Sequence, residues 1–254
     1  MHLPEIDKYA YINSPFHSWD SRIKLISLSL LIFSVVLNPN LIIASFVLLL
    51  AIVLVFLSRI PFSFILIHLR WVLLFCLFLF IIMPLTVPGN EIIGWNFVSI
   101  SREGTKLASL ITLRAISAVL LIFPMIGTMR FDTTIKALQK LKVPNKFIQM
   151  IMFTYRYIFV FMEEARRMFI AANARVFKKG TNIRTLKIIS NLIGMLFIHS
   201  FERTQNIYNA MVSRGYTGYL KTLDDDFGLC GKDFLKGFFI VVTALILTIS
   251  GWML

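Results

Sequence analysis

The stretch Asn209 to Gly218, NAMVSRGYTG, sets an arginine directly before a glycine at the end of what otherwise reads as a helix. Ile170 to Gly180, IAANARVFKKG, repeats the order of small residues, arginine, aromatic and break. A guanidinium is planar, always charged and carries five N–H donors, so it can grip a carboxylate through two parallel bonds. Alanine or serine just before it lets the helix backbone approach a partner surface closely. The chemistry on offer at Arg175 and Arg214 is therefore recognition, a plug for an acidic groove. A plainer role also fits, because a cation at a helix C-terminus complements the macrodipole. Spacing alone leaves both readings open.

Groups suited to reactions are scarce. No GxxxxGK[ST] phosphate loop occurs, and no serine, histidine and acid stand in an arrangement that would make a nucleophile. His2, His17, His68 and His199 are scattered, none with a second ligand three or four residues on, so the chain itself is not expected to hold a metal. Asp224, Asp225 and Asp226 form a charge run of the kind usually solvated in a loop. Cys76 and Cys230 lie far apart and suggest neither a disulfide framework nor a metal site. The 11 methionines and 24 phenylalanines read as packing and lipid-facing side chains. Arg114, inside the fourth apolar run, is an intramembrane charge and so a functional candidate; lying about 10 Å in from Leu107 at helical rise, it also suits a pairing role at a helix interface.

The elements that must carry these residues are membrane helices. Of 254 residues 57% are hydrophobic and only 15% charged, with mean hydropathy +0.78, against about 25% charged in soluble domains. The first 22 residues, broken by Pro4 and Pro15, lack the apolar core of a secretory signal, so insertion is expected to use the first apolar run. Runs at Ile23 to Leu37 and Leu41 to Leu57 flank an uncharged Asn38-Pro39-Asn40 turn. A third span is expected from about Trp71, or from near Phe64, to Leu85, ending in an aqueous PLTVPGNE loop. A fourth is expected over Leu107 to Met129 and a last over Phe234 to Leu254.

The fold class that follows is all-α, a polytopic bundle of five to six spans with a helical coupling region. Residues 1–129 make an N-terminal membrane region, 130–233 carry most of the positive charge, and 234–254 form a C-terminal span. Basic segments favour the cytoplasmic side. Counting crossings puts the N-terminus, the Arg59 to Arg70 connection and residues 130–233 inside, with the Asn-Pro-Asn turn outside. Met150 to Phe161 and Ile188 to Phe197 are short and flanked by charge, so they are expected to lie along the membrane surface.

Asn145 to Lys179 contains no glycine or proline, which predicts one long helix with Pro144 in its first turn and Gly180 at its end. Met168, Ala171, Ala172 and Arg175 share one face, and Glu163 can pair with Arg167 one turn on. A second helix, roughly Ile188 to Ser213, repeats the design with Ile207, Ala210, Met211 and Arg214, and Gly215 can stop it.

Four stretches, taken in order, carry a family likeness: IDKYAYINSPFHSWDSRIKLI, TLRAISAVLLIF, ALQKLKVPNKFIQMIMFTYRYIFVFMEEARRMFIAANARVF and SFERTQNIYNAMVSRGYTG. The chain resembles the transmembrane T component of energy-coupling-factor transporters, of the CbiQ type associated with cobalt uptake. In that family two Ala-Arg-Gly motifs at coupling-helix ends insert into grooves on a pair of ATP-binding-cassette subunits. The likeness places the first on Ala174, Arg175 and Val176 and the second on Ser213, Arg214 and Gly215. Valine stands for glycine in one and serine for alanine in the other, so the arginines transfer better than their neighbours.

The resemblance implies a non-catalytic, multi-pass subunit of the cell membrane that binds no cofactor, ATP being held by two ABC ATPase subunits. Closure of those subunits would move the helix tips, and the chain would pass the motion to a separate CbiM-like substrate-binding membrane subunit that topples in the bilayer. Cobalt is the expected cargo, with nickel or a vitamin as alternatives. Met1 and His2 match the start of cobalt and nickel substrate-binding subunits, but the remaining sequence follows the T component. A membrane-embedded enzyme would need polar groups that the spans lack. Nucleic-acid binding could use the net charge of +13, but topology accounts for that charge. A stand-alone secondary carrier predicts an internal repeat of spans, and none is evident.

Overall fold

Backbone in hydrocarbon has no water to bond, so each apolar run must close its hydrogen bonds within itself, and the runs become helices. The computed structural model describes residues 14–17, 19–88, 91–95, 98–175, 177, 180–218 and 231–253. In chain order these form α1 (Ser21–Leu37), α2 (Leu41–Ser58), α3 (Phe62–Thr86), β1 (Glu91–Trp95), β2 (Val98–Ser101), α4 (Arg102–Ile126), α5 (Phe131–Lys140), α6 (Asn145–Ala174), α7 (Ile183–Ser213) and α8 (Gly231–Met253). The expected all-α membrane bundle is the architecture found. Its one departure is the antiparallel β1–β2 hairpin, in the segment expected to be an aqueous loop.

Four helices are long and apolar enough to cross a membrane, over Leu41–Ser58, Phe62–Thr86, Arg102–Ile126 and Asp233–Gly251. α1 has 17 residues and so rises only about 25 Å, short of the ~30 Å hydrocarbon core. It packs inside the bundle all the same. The chain divides into two compact units, one of residues 1–141 and 226–254, the other of residues 142–225. In the first unit α4 packs against α1, α2 and α3, and α8 packs against α1. Leu28 and Leu31 of α1, Val47 and Ala51 of α2, Leu121 of α4 and Ala244 of α8 meet in its core.

Side-chain ties fix the directions of these helices. Along α1 and α8, Trp19 Nε1 donates to Asp233 O at 3.1 Å, Ser34 Oγ to Ala244 O at 2.8 Å and Asn38 Nδ2 to Leu247 O at 2.8 Å. Both residue numbers rise together, so α1 and α8 run parallel. Along α1 and α4 they run oppositely: Lys24 Nζ donates to Thr128 Oγ1 at 2.7 Å near one end, and Arg114 donates to Asn38 O near the other. Lys24 is fully buried, and its ammonium is satisfied by that hydroxyl and by Phe16 O at 2.8 Å. A buried cation without such acceptors would cost several kcal/mol.

Small residues make the α1–α8 approach possible. Gly237, Ala244 and Gly251 recur every seventh residue along α8. A Cβ on Gly237 would strike Ile23, and one on Gly251 would strike the Asn38 amide. Membrane helices associate through such close packing and interhelical hydrogen bonds, since lipid is as apolar as leucine.

Local chemistry shifted several expected boundaries. α3 begins at Phe62, ahead of Phe64 or Trp71, and runs through Pro84, buried in its last turn, to Thr86, one residue past the expected Leu85. α4 starts at Arg102, five residues before the apolar run, because the Ser101 hydroxyl accepts from Gly104 N–H and caps it. α5 is a short amphipathic helix that the sequence reading did not anticipate.

Gly237→Leu is expected to overpack the α1–α8 seam and destabilise the bundle by about 1–3 kcal/mol, seen as a lower Tm in detergent. Leu245→Ile, on the exposed side of α8, should leave Tm close to the wild-type value.

Candidate functional site

The second unit is built from α6 and α7, of 30 and 31 residues. The segments Met150 to Phe161 and Ile188 to Phe197 lie within these two helices, as the expected long helices have them. Pro144 precedes α6 as its N-cap instead of opening its first turn. α7 begins at Ile183, five residues before the expected start. Ladder contacts show that the pair is antiparallel: His199 Nδ1 lies 2.7 Å from Glu164 Oε1, and Gln149 Nε2 donates to Gly218 O at 3.0 Å. The expected Glu163–Arg167 pair forms at 3.5 Å on the exposed side.

Both helices end in the same way. At the first, Arg175 N–H donates to Ala172 O at 3.0 Å and Phe177 N–H to the same carbonyl at 3.2 Å. At the second, Arg214 N–H donates to Met211 O at 3.0 Å and Tyr216 N–H to the same carbonyl at 3.0 Å, while Gly215 N–H bonds Val212 O at 2.9 Å. The latter set is a Schellman closure with glycine at the left-handed position, φ 81°. In both, the residue two past the arginine is aromatic and half-buried.

Ala174 and Ser213 are thus the last helical residues, and Arg175 and Arg214 the C-caps, all four exposed. Val176 lies outside the described residues. Because backbone N–H groups close the terminal carbonyls, neither guanidinium is engaged in capping. Among the described residues neither makes a side-chain hydrogen bond or ion pair. The antiparallel arrangement sets the two tips at opposite ends of the hairpin, on the order of 40 Å apart from the helix lengths at 1.5 Å per residue. A single small partner surface could not take both.

The second tip is also fixed from the side. Tyr216 Oη donates to Gln149 Oε1 at 2.6 Å, and the other end of the same amide holds Gly218 O. Gln149 was invisible to sequence reasoning, since its partners lie 67 and 69 residues away. Only the aromatic after each break was a signal.

Arg114 stands apart from these tips, on α4 of the first unit. It donates to the Asn38 carbonyl at the C-terminal end of α1, while its buried Nε has no hydrogen-bond partner among the described residues. Asn38 is only 2% exposed, so this residue of the turn is packed among helices while Pro39 beside it is exposed. His2, Cys230 and the Asp224 to Asp226 run lie outside the described residues.

Comparison with known proteins agrees with this architecture. The family model CbiQ, cobalt transport protein, matches residues 13–223. An uncharacterized protein of Methanocaldococcus jannaschii is 30% identical over 250 residues, covering 94% of this chain and 84% of that one. The energy-coupling factor transporter transmembrane protein EcfT of Bacillus subtilis is 31% identical over 226 residues, covering 84% of each. A fused cobalt transport protein CbiMQ of Methanocorpusculum labreanum is 29% identical over 153 residues, 58% of this chain and 25% of that one.

Tyr216→Phe should remove one hydrogen bond worth about 0.5–1.5 kcal/mol, raising amide hydrogen exchange at residues 214–218. Gly215→Val forces a β-branched residue into the left-handed region at a further cost of roughly 1–2 kcal/mol, so its end of α7 should exchange faster still while exchange in α1 and α4 stays unchanged.

Proposed function

This chain belongs to the CbiQ cobalt transport protein family, and from that premise we propose how it works as the membrane coupling subunit of an energy-coupling-factor transporter. The chain hydrolyses nothing and binds no cofactor. Two ABC ATPase subunits hold the ATP, and a CbiM-like integral membrane subunit holds the substrate. α6 and α7, in the segment that carries most of the positive charge, face the cytoplasm in this reading, in keeping with the positive-inside tendency.

One observation carries this reading. Two matching helix ends present exposed guanidiniums, with no side-chain partner among the described residues, at opposite ends of one antiparallel helix pair. Two tips so far apart suit two receptors, one on each ATPase subunit. Ala174 with Arg175, and Ser213 with Arg214 and Gly215, seat in acidic grooves, where the small residues admit the backbone and each arginine meets a carboxylate. When ATP draws the two subunits together, the grooves move, and both tips must follow because each is an end of a continuous helix. Long helices transmit such a displacement with little loss, since their backbone hydrogen bonds do not open. The moving pair then shifts the substrate-binding subunit between its loading and releasing orientations.

Cobalt is the cargo we assign. The family description and the fused cobalt transport relative support it, and nickel or a vitamin are the alternatives that the choice of substrate-binding subunit would decide. Arg114 takes a structural part here, joining α4 to the end of α1.

The test is to replace Arg175 and Arg214 together by alanine, coexpress the complex, and measure copurified ATPase and ATP-dependent cobalt uptake in vesicles. Each lost charge-assisted contact removes about 1.5–3 kcal/mol, so the double variant should lose most of its bound ATPase and at least tenfold of its uptake rate. Wild-type assembly and uptake in that variant would refute the docking assignment.

A further inference from the structure

Between the C-terminal half of α6 and the N-terminal half of α7 lies a cavity of about 770 Å³, within the size range of sites for small organic ligands. Its two ends differ in chemistry. One end is polar, with Asn182, Arg184 and Thr185 at the start of α7 and Arg175 across from them. Elsewhere the wall is mostly apolar and pliable, with Met168 from α6 and Ile188, Leu192 and Met195 from α7, broken by Asn191 and by His199, whose ring is taken up by Glu164.

The polar end gathers hydrogen-bond donors with no carboxylate beside them. α7 begins without a side-chain cap from Asn182, and its first intrahelical bond is Leu186 N–H to Asn182 O. The N–H groups of Ile183, Arg184 and Thr185 therefore have no acceptor within the helix. Thr185 is only 9% exposed, lines the cavity, and its hydroxyl has no hydrogen-bond partner among the described residues. Arg184 likewise makes no side-chain hydrogen bond or ion pair. No aspartate or glutamate occurs from Ala165 to Phe201, and Glu164, just beyond, is paired with His199. Helix N-termini with a free hydroxyl and a guanidinium bind phosphate groups.

The apolar wall decides the source of that phosphate. Free phosphate or a nucleotide would leave Met168, Ile188, Leu192 and Met195 facing water. At the polar rim Ile183 is 87% and Leu186 69% exposed, as in segments that sit at a bilayer surface, where basic and apolar side chains occur together. We propose that this cavity binds an anionic phospholipid, its phosphate held by Arg184, the Thr185 hydroxyl and the first-turn N–H groups of α7, and one acyl chain lying along the methionine-lined wall.

This inference does not depend on the coupling reading, and it is tested without ATPase partners. Full-length protein in mild nonionic detergent is titrated with phosphatidylglycerol, phosphatidylcholine, inorganic phosphate or polyglutamate, with binding read by native mass spectrometry and thermal shift. Wild type should prefer phosphatidylglycerol over phosphatidylcholine by at least tenfold. Arg184→Gln, at an exposed side chain that folding does not need, should weaken phosphatidylglycerol binding about tenfold, the equivalent of one charge-assisted contact. Thr185→Val should weaken it severalfold, and Thr185→Ser, which keeps the hydroxyl, should bind like wild type. Equal binding of the two lipids, wild-type binding by Arg184→Gln, or protection by inorganic phosphate or polyglutamate that matches phosphatidylglycerol would each overturn the proposal.

Discussion

A helix end buried among other helices leaves carbonyls with no water to bond, and the end of α1 is where this constraint bears hardest. Asn38 meets it as a four-way junction. Its carbonyl accepts from Arg114 of α4, its amide nitrogen donates to Leu247 O of α8, and its amide oxygen accepts from Asn40 N–H before α2 at 3.3 Å. A buried polar group without partners costs more than a made hydrogen bond contributes. The turn can therefore lie in the bundle only if all these elements are in register. With no hydrophobic force to select between apolar neighbours, such ties and the glycine seam of α8 are what specify one packing.

The same requirement is solved differently in the second unit, where each long helix closes its own end with its own N–H groups. The difference has functional weight. An arginine recruited to close a helix end, as Arg114 is, has a fixed place and little freedom. Arg175 and Arg214 are relieved of that duty and stay available. Around them almost nothing is buried, Ile148 being the buried residue of α6 and Thr185 that of α7. Elements that bury so little against each other offer most of their surface to other molecules.

What could be read from the sequence was what depends on near neighbours. Apolar runs gave the spans, the absence of glycine and proline foretold α6, and the small-residue, arginine and aromatic order located both tips. The misses arose where a local signal was overridden or a distant partner decided. Apolar content points to Trp71 or Phe64 as the start of α3, but the helix begins at Phe62, directly behind Pro61 as its N-cap. Ser101 extends α4 backwards through a cap that hydropathy does not register. Asn38 looks like an ordinary polar turn residue, because the atoms that bury it come from α4 and α8, 76 and 209 positions further along. Gln149 and Thr185 are common residues, and only the pairing of α6 with α7 gives them a part.

The parallel course of α1 and α8 has an architectural corollary. Lys24, in the first turn of α1, meets the end of α4, and Trp19, just before α1, meets the start of α8, so α4 ends and α8 begins at the same end of α1. Everything between is a closed excursion that begins and finishes at one doorway. A connection whose two ends lie at one end of α1 can be lengthened, shortened or exchanged without inverting α4 or α8.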